Sequence, residues 1–301
     1  MSDQVWVAGE VLIDLIPNGD QYFAVVGGGP ANTAKALANL GVKTHFIDGV
    51  STDNYGQMAK AELLSANVLL DYAKYSTKPT CTAKVKLSKS GIASYEFVIE
   101  GTATFDFSDL WLPDPQSLKP SLLHIGTLAT IIEPGASVLF KWAQSVAQVS
   151  LIVFDPNIRP AVLRNRDDYV KKVEKWLSIS SAVKVSDEDL NWLYPGKAIV
   201  KVVNEWLEVG VQLVVVTLGD KGIVAYRKNE QISVDAIKVD VADTVGAGDT
   251  VGAILVEAIV NIGLDKLTGE VLETMLNRAS KAAAITVSRT GANPPSKGEI
   301  Y

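Results

Sequence analysis

A chain of 301 residues fills either one α/β domain or two domains of about 150 residues each, and it needs no disulfide or metal staple to bury a large core. The composition is 48% hydrophobic and 21% charged, which excludes a disordered chain. With 28 Lys and Arg against 34 Asp and Glu, the net charge is −6, and no basic run offers a nucleic-acid footprint.

The N-terminus, Met1 to Glu10, has no basic segment followed by an apolar stretch, so it does not read as a signal peptide. Cys81 is the single cysteine, which rules out an internal disulfide and predicts a reducing, cytoplasmic setting. Together with His45 and His124 it leaves too few ligands for a His/Cys zinc site. The most apolar long segment, Val241 to Leu264, carries Asp243, Asp249 and Glu257, which argues against a membrane span.

In chain order, strands are predicted at Val5–Ala8, Thr44–Val50, Leu122–Gly126, Ser150–Asp155, Ala182–Val185 and Val211–Leu218. Several are continuously apolar, as strands covered on both faces are. Helical patterns lie between them at Pro30–Leu40, Tyr55–Ser65, Pro134–Ala147, Asp168–Ser178 and Val200–Val209, and two more close the chain at Gly246–Ile262 and Leu272–Val287. Pro30 suits a first helical position and Gly41 a C′ position. This alternation predicts an α/β fold with a mainly parallel sheet. Two stretches interrupt it. Asp20–Val26 is short and extended. Cys81–Leu87 and Ala93–Ile99 read as a hairpin turning at Ser88-Lys89-Ser90-Gly91; they form either a lid over a site or an edge extension of the main sheet.

The chemistry concentrates at strand ends. Asp243-Thr-Val-Gly246-Ala247-Gly248-Asp249 follows an extended segment, Ile232–Val241, and opens a long helix. Small residues at a helix start expose backbone N–H groups to an anion, and Asp249 in the first turn can take a proton from a hydroxyl held beside it. The plainer reading makes Asp249 a helix cap. Gly27-Gly28-Gly29-Pro30-Ala31-Asn32 is neither a dinucleotide fingerprint nor a P-loop; bare backbone followed by an amide suits a neutral polyol, or a plain tight turn. Asp14, just past the first strand, can accept from paired sugar hydroxyls or be a solvated loop acid. Arg159, in Asp155-Pro-Asn-Ile-Arg159-Pro160, can present its fork to a phosphoryl group or tie its own loop down. Lys184-Val-Ser186-Asp187-Glu188-Asp189 and Thr217-Leu-Gly219-Asp-Lys-Gly222 can serve nucleotide phosphates and Mg²⁺, although Ser186 and its acidic followers equally read as a helix cap.

These segments, in this order, resemble the ribokinase-like (PfkB) carbohydrate kinases and, within them, the bacterial fructokinases. Asp243–Asp249 is similar to the family's C-terminal signature and Gly27–Asn32 to its N-terminal one. The resemblance implies an ATP-dependent sugar kinase with a Rossmann-like, ribokinase-like core: one domain over residues 1–301, with lid insertions at about 16–26 and 79–103 forming a small β-sheet that also makes a homodimer contact. It implies that Asp249 is the catalytic base, that Gly246, Ala247 and Gly248 form the anion hole, and that Arg159 clamps sugar and γ-phosphate. Asp14, Gly28, Gly29 and Asn32 would hold the sugar. Lys184, Asp189, Thr217, Gly219 and Gly222 would lie on the nucleotide side. A monovalent cation such as K⁺ would involve Asp243 with Val245, Thr286, Arg289 and Gly291. ATP and Mg²⁺ are the implied cofactors, and fructose is the first acceptor expected; neither nucleic acid nor membrane is an expected partner. Three departures matter: Ser186 and Asp189 stand where the family carries Asn-x-x-Glu, Gly29 replaces the lysine of ribokinases proper, and the segment after the lid strand, Glu100-Gly-Thr-Ala, lacks a basic residue that many fructokinases use. The alternatives are 2-keto-3-deoxygluconate, ribose or a nucleoside as acceptor, a non-catalytic sugar- or nucleotide-binding module, and an NAD(P)-dependent oxidoreductase. Asp249 needs no raised pKa for a late proton transfer.

Overall fold

The computed structural model describes residues 4–19, 21–87 and 93–300. In chain order the strands are β1 (Gln4–Ala8), β2 (Leu12–Asn18), β3 (Gln21–Gly27), β4 (Lys43–Ile47), β5 (Gly49–Ser51), β6 (Lys74–Ser76), β7 (Thr82–Leu87), β8 (Ala93–Val98), β9 (Leu122–Gly126), β10 (Leu151–Asp155), β11 (Ala182–Ser186), β12 (Leu213–Thr217), β13 (Ile223–Arg227) and β14 (Glu230–Val234). The α-helices are α1 (Gly29–Asn39), α2 (Asn54–Ser65), α3 (Pro115–Leu118), α4 (Gly135–Val146), α5 (Arg166–Leu177), α6 (Asp187–Leu193), α7 (Ile199–Glu208), α8 (Ala247–Ile262), α9 (Gly269–Val287) and α10 (Lys297–Ile300).

The main sheet has the order β14-β13-β12-β11-β10-β9-β1-β4. Its pairings are parallel from β4 through β12 and antiparallel at β12–β13 and β13–β14. Alternate residues of each strand enter different cores, because successive side chains point to opposite faces. Val5, Val7, Phe46, Leu122, Val153 and Leu213 pack with residues of α1, α2, α8 and α9. Trp6, Ala8, Ile47, Leu123, Phe154 and Val214 pack with α4, α5, α6 and α7. Both faces are covered, which is why these strands read as unbroken apolar runs.

The predicted elements recur within a few residues, with four differences. The run Thr44–Val50 breaks between β4 and β5 at Asp48, a buried acid that accepts from the Val11 amide at 3.0 Å. Helix α1 begins one residue early, at Gly29. The extended segment before the Gly-rich loop ends at Val234 rather than Val241, as the second strand of an unforeseen hairpin, β13–β14. Asp14 lies within a strand, β2, that Pro17 had obscured.

That strand belongs to a separate four-stranded sheet, β3-β2-β7-β8. The predicted hairpin pairs antiparallel as β7–β8 and joins β2 in parallel, so it belongs to this separate small sheet rather than extending the main one. Its turn, Ser88–Gly91, lies outside the described residues. No helix among the described residues is long and apolar enough to cross a membrane.

Leu255 on α8 is fully buried between helices and sheet. Leu255→Ala should cost about 2–5 kcal/mol in urea unfolding; a loss below about 1 kcal/mol would contradict this packing.

Candidate functional site

Two helix N-termini meet where the parallel strands end, the edge at which open α/β sheets bind ligands. Helix α1 packs on α8. Asn32 Nδ2 donates to Asp249 Oδ2 at 2.9 Å, and the Thr33 hydroxyl reaches the Asp249 carbonyl at 3.5 Å. Asn32 Oδ1 is buried without a hydrogen-bond partner among the described residues, so it is an acceptor held ready for a donor.

Gly29 explains the shape beside this pair. A Cβ there would lie 2.8 Å from the Thr127 methyl, 2.9 Å from Asn157 Nδ2 and 3.3 Å from Asp249 Oδ1. Bare backbone at 29 therefore leaves open the space bounded by a carboxylate and an amide. Gly28, the N-cap of α1, passes close to the Glu10 carbonyl. Asp14 comes in from β2 of the small sheet, half-buried, and burial raises its pKa to about 6 against the opposing charge of Arg159.

The opposite wall is the start of α8. Gly246 is its N-cap in the left-handed region, φ 81°, a conformation glycine adopts without strain. Ala247, Gly248 and Asp249 form the first turn, whose N–H groups have no intrahelical acceptors and whose dipole is positive. An anion fits there. Asp249 is buried, and burial lifts its pKa to about 6, with Lys184, the Asn32 hydrogen bond and Arg159 opposing and Asp155 reinforcing. The sequence required no such shift; it follows from enclosing a carboxylate.

Arg159 is exposed, yet its charge acts on both Asp14 and Asp249. Its Nη1 donates to the carbonyls of Asn157 at 3.3 Å and Ile158 at 3.0 Å, so the loop-tying reading also holds. The loop is stapled by Ile158 N–H to Asp189 Oδ1 at 2.9 Å and Arg159 N–H to the Tyr169 hydroxyl at 3.0 Å.

The remaining candidates spread along the same edge. Lys184 is buried and pairs with Asp155 at 3.0 Å, and a Cβ on Gly248 would fall 2.7 Å from its Nζ. Ser186 and Asp189 form a reciprocal capping box on α6, so the helix-cap reading of this segment is correct. Thr217 ends β12, Gly219 opens the short turn that follows, and the Gly222 carbonyl closes that turn by accepting from Leu218 N–H at 2.8 Å. Asp243 draws two loops together, accepting from Val245 N–H at 3.0 Å and Gly291 N–H at 2.9 Å. Nearby, the Thr286 hydroxyl contacts Thr250 at 3.0 Å and its carbonyl accepts from Arg289 N–H at 3.1 Å, while the Arg289 side chain turns to Glu299.

Sequence reasoning missed Glu10, Thr127 and Asn157. Glu10 is buried and accepts from the Thr127 hydroxyl and the amides of Leu128 at 3.3 Å and Ala129 at 3.1 Å. That bonding fixes Thr127 at φ 55°, a rare conformation for a β-branched residue. Only Gly9-Glu10, beside the first strand, offered a hint.

Residues 2–298 match the family described as pfkB family carbohydrate kinase. Over 250 residues the chain is 35% identical to a fructokinase of Rhizobium leguminosarum bv. trifolii, covering 81% of this chain and 76% of that protein. A double-mutant fructokinase from Vibrio cholerae O395, solved with fructose, ADP and potassium ion, superposes with a TM-score of 0.82 at 26% identity, covering 97% of this chain and 95% of that one. The ATP-bound fructokinase from Xylella fastidiosa shares the fold, with a TM-score of 0.91 at 24% identity over 100% of this chain and 97% of that one. A helix start rich in small residues beside a buried acid, a separate small sheet that carries Asp14, and a family match along almost the whole chain lead to one conclusion: this protein belongs to the pfkB family of carbohydrate kinases.

Proposed function

We propose that the chain is an ATP-dependent fructokinase, one kinase domain over residues 1–301 with its lid closing on the sugar. The observation that carries this reading is Asp249, buried at the mouth of the α8 anion pocket and hydrogen-bonded to Asn32 beside the empty side-chain position of Gly29. The Rhizobium and Vibrio fructokinases supply the support for fructose.

The reaction moves a phosphoryl group from the terminal phosphate of ATP to a sugar hydroxyl. Asp14, Asn32 and the backbone of Gly28 and Gly29 hold and orient the sugar. The positioned hydroxyl faces Asp249, which takes its proton as the new P–O bond forms and the bond to ADP breaks. N–H groups of the N-cap Gly246 and of Ala247 and Gly248 in the first turn, with Arg159, bear the charge of the migrating group. The lid excludes water, the competing acceptor. Thr217, Gly219 and Gly222 form the nucleotide side.

Among the described residues no group of three or more His, Cys, Asp or Glu side chains is arranged to hold a metal. Mg²⁺ typically keeps waters and substrate phosphates and uses only one or two carboxylates, a role that Asp189 fits together with Asp155, whose Oδ1 has no hydrogen-bond partner among the described residues. When bound, the ion offsets phosphate charge. The two loops joined by Asp243 fit a monovalent cation such as K⁺, through Asp243 and carbonyls of Val245, Thr286, Arg289 and Gly291. Ile16, Tyr22 and Phe23 expose 42%, 43% and 62% of their surface on the lid sheet, which supports a homodimer contact there. The single buried Cys81 suits a cytoplasmic enzyme.

Purified protein with ATP and Mg²⁺ should release ADP fastest with fructose in a panel that includes ribose, 2-keto-3-deoxygluconate and a nucleoside; preference for another acceptor would replace fructose in this reading. Asp249→Asn should lower kcat about 10²–10⁴-fold while sugar affinity stays within threefold; turnover within threefold of the parent would remove Asp249 as base. Protonated Asp249 cannot take the hydroxyl proton, so kcat/KM for the sugar should fall as pH drops below about 6; a limb near pH 4 would show an unperturbed base.

A further inference from the structure

Five non-glycine positions among the described residues adopt a positive φ, and two of them, Thr127 at 55° and Asn157 at 38°, border one point: the place where a Cβ on Gly29 would lie. Asparagine tolerates the left-handed region, but a β-branched residue there is strained. Such strain persists only where the surroundings over-determine it, and it gathers at functional sites. At Thr127 the surroundings are Glu10.

Glu10 follows β1, and the backbone on either side of it is pinned. Gly9 N–H donates to the Ile47 carbonyl at 3.2 Å and Val11 N–H to Asp48 Oδ2 at 3.0 Å. The Glu10 carbonyl lies against Gly28, where a Cβ would stand 2.4 Å from that oxygen. Its buried carboxylate accepts three donors from the short turn Thr127–Thr130: the Thr127 hydroxyl, Leu128 N–H at 3.3 Å and Ala129 N–H at 3.1 Å. The far end of the turn is held as well, since the Thr130 hydroxyl donates to the Thr127 carbonyl at 2.7 Å and Trp176 Nε1 to the Thr130 carbonyl at 3.1 Å. Glu10 therefore touches both the Gly-rich start of α1 and the turn that carries Thr127. With its hydroxyl taken by Glu10, Thr127 presents its methyl to Gly29, 2.8 Å from the Cβ position, and Asp249 Oδ1 lies 3.3 Å from that same position. One apolar group and one carboxylate thus border the same small space.

We infer that Glu10 is a positioning residue of the phosphoryl transfer: it fixes Thr127 so that the methyl closes the acceptor space beside Asp249 and keeps the sugar hydroxyl on that carboxylate. The inference rests on the sugar-kinase reading and adds to it a residue that acts through another. Glutamate is required for what it accepts. All three of its partners in the turn donate, and glutamine would set an NH₂ group against one of them.

The test compares Glu10→Gln, Thr127→Val, their combination and Thr127→Ser with the unaltered chain, in steady-state kinetics with fructose and ATP and in calorimetric binding of ADP. Glu10→Gln should lower kcat/KM for fructose about 10–10²-fold, as a small misplacement of a positioning group does, with KM for ATP and affinity for ADP within threefold. Thr127→Val keeps the side chain's size but has no hydroxyl for Glu10, and should show a fall of similar size. The double variant should be no worse than the poorer single variant within about threefold, because residues acting through one link are not additive. Thr127→Ser keeps the hydroxyl and drops the methyl, and should raise KM for fructose roughly three- to tenfold, as for one lost buried methyl. If Glu10→Gln does not fold, the two Thr127 variants carry the comparison. A Glu10→Gln enzyme within threefold of the parent on fructose overturns the inference, as do losses that add in the double variant, or an equal loss of ADP affinity, which would mark a general structural role. An unmoved KM in Thr127→Ser overturns the methyl as the wall of the space. Absence of turnover in the unaltered chain overturns the sugar-kinase reading itself, whereas an active parent with unaffected variants overturns the role of Glu10 alone.

Discussion

The hydrogen bond between Asn32 and Asp249 joins residues 217 positions apart at a separation of 2.9 Å. It exists because α1 and α8 pack against each other on one face of the sheet and both begin at the ligand edge. Everything chemical follows from that meeting of two helix starts. One supplies bare backbone and an amide; the other supplies a positive helix end and an acid. The apolar packing between α1, α8 and the strands fixes the distance, so core and site are a single construction. A fully buried leucine or valine contributes about 1.5–3 kcal/mol each, and the sheet and helices supply many.

Charge inside this structure is balanced locally. Asp155 answers Lys184, while Asp249 and Asp14 are enclosed and lean toward their neutral forms, with pKa values near 6. Arg159 opposes that tendency at both carboxylates from an exposed loop. The guanidinium is exposed, Asp14 is half-buried and Asp249 is buried, so one surface charge acts on two differently enclosed carboxylates. Deeper in, Glu10 and Asp48 are buried acids held by backbone amides, and burial raises both pKa values. They tie down the loops around Thr127 and Val11.

The parallel strands were legible because burial on two faces writes itself as continuous apolar sequence. The start of α8 was legible for a related reason: clusters of residues with almost no side chain at a helix start are conspicuous. Strand β2 was hidden, since Asp14 and Pro17 interrupt its apolar pattern although it pairs on both edges. Hairpin β13–β14 was hidden by Arg227-Lys-Asn-Glu230, whose turn needs Asn229 at φ 65°. Glu10 drew no reading, because burial of a single carboxylate leaves no mark in local sequence. The same holds for Lys184, whose identity was noted but whose contact with Gly248 depends on how β11 sits under α8.

The most direct test of the central claim is a crystal structure with fructose and a non-hydrolysable ATP analogue. The account predicts one fructose hydroxyl within hydrogen-bonding distance of the Asp249 carboxylate, with the terminal phosphate on the backbone N–H groups at the start of α8. A sugar seated away from Asp249, or a terminal phosphate bound elsewhere along the sheet edge, would contradict it.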